Sequence, residues 1–142
     1  MYVDNNLVLS DGQAPTTGTT ASTNVLDTGV ASRAIGDGAR LELIVTVKTT
    51  CTSGGSNTTQ IALQDSADNS SFSSVVTGPA VAVASLVAGT ELLRVALPAG
   101  LRRYVRVAYI IATADLTAGA FNAVVAADRQ VNTAQPTGFT VL

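Results

Sequence analysis

The chain has no histidine, no tryptophan and a single cysteine, Cys51, and aromatic residues make up 4% of its 142 positions. Without histidine the usual general base is missing, and with it the Ser-His-Asp and Cys-His nucleophile systems and most zinc sites. One cysteine cannot close an internal disulfide. Charge is scarce too: 13% of residues are charged, 8 Lys+Arg against 10 Asp+Glu, for a net charge of −2, where about 25% charged is ordinary. That balance argues against nucleic acid, which demands clustered cations. No apolar run approaches the ~20 residues that span a bilayer, since the longest, over residues 105–114, is interrupted by Arg106 and followed by Asp115, so no membrane is expected. Met1-Tyr2-Val3-Asp4-Asn5-Asn6 lacks a basic export signal, and the chain reads as made in a reducing cytoplasm. These absences favour a non-enzymatic protein, with no catalytic residues, metal or cofactor.

Ser, Thr, Ala and Val fill the place of the missing charge, and they are patterned for strands. Leu41, Leu43, Val45 and Val47 alternate with Glu42, Thr46 and Lys48, with Ile44 the exception. Val105, Val107, Tyr109 and Ile111 alternate with Tyr104, Arg106, Ala108 and Ile110. Ile61 and Leu63, then Leu93, Val95 and Leu97, then Phe121, Ala123, Val125 and Ala127 repeat the period of two. Shorter candidates lie at residues 6–10, 24–28, 72–76 and 80–87, and short helical turns are conceivable only at residues 83–88 and 116–120. Turns such as Gly36-Asp37-Gly38, Gly54-Gly55, Gly78-Pro79 and Pro98-Ala99-Gly100 separate these runs. Eight or nine short antiparallel strands in one domain over residues 1–142 predict a sandwich or barrel. Residues 11–23 read as a polar loop of low complexity, and residues 131–142 as an extended C-terminal tail whose Phe139 and Val141 are free to dock on the chain itself or on a neighbour.

Few motifs carry chemistry. Val25-Leu26-Asp27-Thr28-Gly29 has the loop signature of aspartic proteases, in whose small homodimeric members two such carboxylates share one proton. Val30 follows the Gly, though, where a small residue is needed, so Asp27 reads better as a turn residue. Asp65-Ser66-Ala67-Asp68-Asn69 offers three oxygen donors but lacks the Gly and closing Glu of a calcium loop, and reads as a strand connection. Cys51 has no activating base. The one concentration of charge is Arg102, Arg103 and Arg106 around Tyr104. Arg102, Tyr104 and Arg106 are expected on one strand face as a protein–protein contact, or as a platform for a base or sugar, with Asp128 or Glu91 as intramolecular partners.

Several stretches together resemble a known family. They are Ala21-Ser22-Thr23-Asn24-Val25-Leu26-Asp27, Leu43-Ile44-Val45-Thr46-Val47, Thr59-Gln60-Ile61-Ala62-Leu63-Gln64, Val81-Ala82-Val83-Ala84-Ser85-Leu86-Val87-Ala88-Gly89, Leu97-Pro98-Ala99-Gly100-Leu101-Arg102-Arg103-Tyr104, Leu116-Thr117-Ala118-Gly119, Asp128-Arg129-Gln130 and the closing Gln135-Pro136-Thr137-Gly138-Phe139. In order and spacing they resemble the capsid cement, or decoration, proteins of short-tailed bacteriophages of the Bordetella-phage type. The resemblance implies an all-β jelly-roll sandwich on the outer capsid surface, made in the bacterial host cytoplasm. It also implies bridging of neighbouring major capsid proteins of HK97-like fold, and self-association as a homodimer or homotrimer. Candidate contact residues are Arg102, Tyr104, Arg106, Arg129, Phe139 and Val141. The alternative is a virion-displayed jelly roll that binds a carbohydrate or receptor; a remote alternative is the homodimeric aspartic protease through Asp27.

Overall fold

A computed structural model of the chain describes residues 4–29 and 41–127. Ten strand segments account for most of them: β1 (Val8–Gln13), β2 (Gly18–Ala21), β3 (Leu26–Asp27), β4 (Glu42–Ser53), β5 (Thr58–Ser66), β6 (Ser73–Thr77), β7 (Val81–Ala82), β8 (Glu91–Ala96), β9 (Tyr104–Ala112) and β10 (Leu116–Ala126). One sheet runs β1-β10-β4-β8; the other runs β2-β9-β5-β6, with β3 also on β9 and β7 also on β5. Every pairing is antiparallel. Because β2 and β3 share one lane and β6 and β7 another, the ten segments fill eight lanes. The chain changes sheet at nearly every connection, which is the doubly wound Greek-key path of a jelly roll. The expected all-β sandwich of eight or nine strands is the fold observed.

Periodicity of two sets which side chains meet between the sheets. Leu43, Val45 and Val47 of β4 and Phe121, Ala123 and Val125 of β10 face Ile61 and Leu63 of β5 and Val105, Val107 and Tyr109 of β9. Each of these is at most 2% exposed, and each large apolar side chain so buried contributes roughly 1.5–3 kcal/mol before the entropy of ordering it is counted. At the centre the Tyr109 and Phe121 rings, one from each sheet, lie 5.3 Å apart and tilted by 30°. Ile44, the exception in its strand's alternation, lies on the outer side, where it pairs with Val124 of β10 and Arg94 of β8 and is buried.

Two expectations are corrected. Residues 11–23 are not a loop throughout: β1 extends to Gln13 against Phe121, and Gly18–Ala21 pairs with residues 108–111 of β9. Threonine's branched Cβ suits a pleated edge whose hydroxyls face water, and the Gln13 side chain ties the two strands together by donating to Ala21 O (2.7 Å) and accepting from the Thr23 N–H (2.9 Å). Residues 116–120, a possible helical turn by composition, form the first half of β10. Gly119 is what allows that half to run against β4: its φ is +135°, and a Cβ there would stand 3.0 Å from Cys51 Cα and closer still to its Sγ. At residues 83–88 the expected turn is present as a short 3-10 turn, Val83–Ser85.

Candidate interaction surface

The arginine cluster belongs to the six-segment sheet. Along β9 the inward Val105, Val107 and Tyr109 alternate with Tyr104, Arg106, Ala108 and Ile110 on the outer face, so Tyr104 and Arg106 share that face as expected. Arg102 does not; it precedes the strand and turns back onto Asp65 of β5.

Arg102 surrounds that carboxylate. Its backbone N–H donates to Asp65 Oδ2 at 2.9 Å, its Nε to Oδ1 at 2.9 Å, and its Nη2 to the Asp65 carbonyl at 2.7 Å. Burial alone would raise the Asp65 carboxyl, whose side chain is 9% exposed, but the Arg102 hydrogen bonds override that and hold it below its ordinary value. Arg103 forms a fork with Asp27, Nε to Oδ1 at 2.8 Å and Nη2 to Oδ2 at 2.9 Å, and sits 5.0 Å from the Tyr104 ring centroid. That fork, with the Gly29 N–H, lowers the Asp27 carboxyl from 3.8 to about 2. Thr28 closes the turn by donating its hydroxyl to Arg103 O at 2.9 Å. A shared-proton carboxyl pair needs one member raised, whereas Asp27 is held ionised.

Arg106 is different. Its guanidinium lies 3.7 Å from the Phe72 ring centroid, and its Nε donates to Gln64 Oε1 at 2.9 Å. No described carboxylate pairs with it, and burial pulls its pKa below the ordinary arginine value. The other described cations are balanced: Lys48 by Asp11 and Arg94 by Glu42, each at 2.8 Å, in addition to Arg102 and Arg103.

Of the intramolecular partners expected for the arginines, Asp128 lies outside the described residues and Glu91 lies on β8 of the other sheet; the described acids that pair with Arg102 and Arg103 are Asp65 and Asp27. Arg129, Phe139 and Val141 also lie outside the described residues, as does Gly36-Asp37-Gly38. In the 65–69 segment Asp65 is taken by Arg102, and Asp68 accepts from the Ser70 and Ser71 N–H groups (2.9 and 2.8 Å) and the Ser66 hydroxyl (2.7 Å), which holds its carboxyl well below the ordinary range. Cys51 is buried against Gly119, and desolvation raises its thiol. The sequence carries no signal that Gln64 and Phe72 are the partners of Arg106. The alternation of Gln60, Ala62 and Gln64 puts Gln64 on a polar strand face, but nothing in the sequence pairs that strand with β9.

Taken together, the described residues define a class: a jelly-roll domain whose outer faces are hydroxyl- and amide-rich, with their charges mostly paired inside the chain and with no helix long and apolar enough to cross a membrane among them. The Bbp16 family model matches residues 9–125, and the chain belongs to that family, a family of Bordetella phage proteins. No curated protein matches the chain.

Proposed function

We propose that this protein is a non-enzymatic structural component of a phage particle, a cement protein that binds the outer capsid surface and bridges neighbouring major capsid proteins of HK97-like fold, acting as a homodimer or homotrimer. The observation that carries this reading is the state of its charges, in a chain that belongs to a phage family. Four of the five described cations are neutralised by carboxylates of the same chain. What is left outside among the described residues is mainly Ala, Thr, Ser, Gly and Asn, which costs little to desolvate against a partner. A cement protein needs many modest contacts repeated at fixed geometry, and oligomerisation multiplies them into tight retention. The bridging would hold capsomers together against internal pressure.

The carbohydrate- or receptor-binding alternative, built on Arg102, Tyr104 and Arg106, draws less support, since Arg102 is committed to Asp65 and leaves the face that Tyr104 and Arg106 share. Virions purified with and without this protein test the proposal. It should cosediment with mature particles, and particles lacking it should release DNA at lower temperature. Protein found only free in lysate, with equally heat-resistant particles, refutes it.

A further inference from the structure

Arg106 is the one described cation without a carboxylate, and its setting differs from that of an ordinary solvated arginine. The guanidinium carbon stands over the Phe72 ring, 3.7 Å from its centroid, and Nε is steered by Gln64 Oε1 at 2.9 Å. Those contacts use one ring face and one N–H, leaving the Nη groups without a described acceptor. An arginine oriented in this way has lost much of its side-chain freedom already, so engaging a partner costs it less entropy, which is the property of an interface anchor. Around it the described side chains on the outer side are neutral: Gln64 on β5, Ile110 on β9 and Ser74 on β6, with Ala62 and Ala108 fully buried between them. A lone oriented cation on an otherwise neutral face is complementary to a single acid.

Resting on the particle reading above, we propose that the outer face of β9, β5 and β6 is the surface that meets the shell, and that the free edge of the Arg106 guanidinium receives a carboxylate side chain of the shell protein. A second copy of this chain is the poorer occupant. In a contact between two copies through this face Arg106 would need a free acid on the same face, and the acids beside it, Asp27 and Asp65, are already paired with Arg103 and Arg102.

The test uses particles assembled by the parent phage without this chain, to which purified full-length protein is added back and its affinity measured by cosedimentation. Wild type should bind, Arg106→Gln should bind about thirtyfold more weakly or worse, and Arg94→Gln on the opposite sheet should bind within about twofold of wild type. Thermal unfolding checks that each variant folds. Should Arg106→Gln fail to fold, Arg106→Lys keeps the cation but loses the planar fork, and a severalfold loss is then expected. Wild type that does not bind the particles refutes the particle reading and this inference with it. Wild type that binds, with Arg106→Gln or a folded Arg106→Lys binding equally well, overturns the inference alone. Light scattering adds the last outcome: an Arg106 variant that changes the oligomeric state and leaves shell affinity intact makes a second copy the occupant and overturns the shell assignment.

Discussion

The outer face of the β1-β10-β4-β8 sheet balances its described cations with acids on the same side: Lys48 reaches over Gly12 to Asp11, and Arg94 takes Glu42 from the next strand. The opposite sheet pairs Arg102 and Arg103 at its margin and leaves Arg106 in its middle held, among the described residues, by a ring and an amide. Both sheets are built from the same alternating text and bury the same kind of residue inward, so this electrostatic asymmetry lies on the outer faces. Internal packing alone would accept either arrangement. A face that finishes its own electrostatics offers a partner neutral contacts that are cheap to desolvate, whereas one with an oriented, unmatched charge adds a specific site.

Packing also differs between the sheets, and this gives the largest expected effect. Gly119 of β10 has φ +135° with Cys51 directly against it, while Gly18 of β2 has φ +60° with nothing within 4 Å of where a Cβ would stand. Gly119→Ala combines backbone strain with overpacking of the sandwich and is expected to cost about 3 kcal/mol, a fall in Tm of roughly 10 °C. Gly18→Ala carries the conformational term alone, about 1 kcal/mol. Thermal denaturation of the two variants in parallel checks this; equal losses would mean that β10 has room to move off β4.

The ion pairs give an intermediate effect. Arg102→Met leaves the mostly buried Asp65 carboxylate uncompensated and is expected to lower Tm by several degrees at pH 7, whereas Lys48→Met, which breaks a pair with side chains 48% and 74% exposed, should lower it by no more than about one. The pH dependence has a definite sign. Asp65 and Asp27 have folded-state values below the ordinary 3.8. Their contribution is therefore complete above about pH 4 and is lost as pH falls through the folded values, near 2 for Asp27. The gap between wild type and Arg102→Met should accordingly be wide at pH 6 and narrow as pH falls below the ordinary 3.8 of Asp65, and urea titrations across that range measure it.

How much of this was legible in the sequence follows from the range of each interaction. The strands of β4, β5 and β9 announce themselves because alternation is local, and their inward residues could be read directly. β2 could not, because Gly18-Thr19-Thr20-Ala21 is turn-like text that becomes a strand only by pairing with β9. The first half of β10 was obscured in the same way by its alanines and glycine. For the candidate surface, the residue types were visible and the partners were not. Asp65 and Arg102 are 37 positions apart, Asp27 and Arg103 are 76 apart, and only the order of lanes in the sandwich brings them together. Tyr104 and Arg106 fell on one face as alternation requires; Arg102 left it because the strand starts two residues later.

A small effect at neutral pH is expected where the two sheets meet. Tyr109 is fully buried against Phe121, and no described group completes a well-formed hydrogen bond to its hydroxyl. The Ser10 hydroxyl, which pulls weakly against the effect of burial, donates instead to Gln13 Oε1 at 2.7 Å. A buried, unsatisfied hydroxyl costs desolvation without return, so Tyr109→Phe should be neutral or stabilising by up to about 1 kcal/mol at pH 7, read as a shift in urea midpoint at constant m-value. Alkali separates the two proteins further. Burial pushes the Tyr109 phenol from 10 up to about 12, so between those values the unfolded phenol ionises while the folded one keeps its proton. Wild-type stability tied to this group is complete below pH 10 and drains away above it, by up to about 1.4 kcal/mol per pH unit relative to Tyr109→Phe, which has nothing to ionise. Tyr104, on the outer face, remains in both proteins, so the widening difference belongs to the ring between the sheets. Curves that stay parallel from pH 7 to 11, or a Phe variant that loses stability at pH 7, would mean that the hydroxyl has a partner after all and that the centre of the sandwich is polar by design.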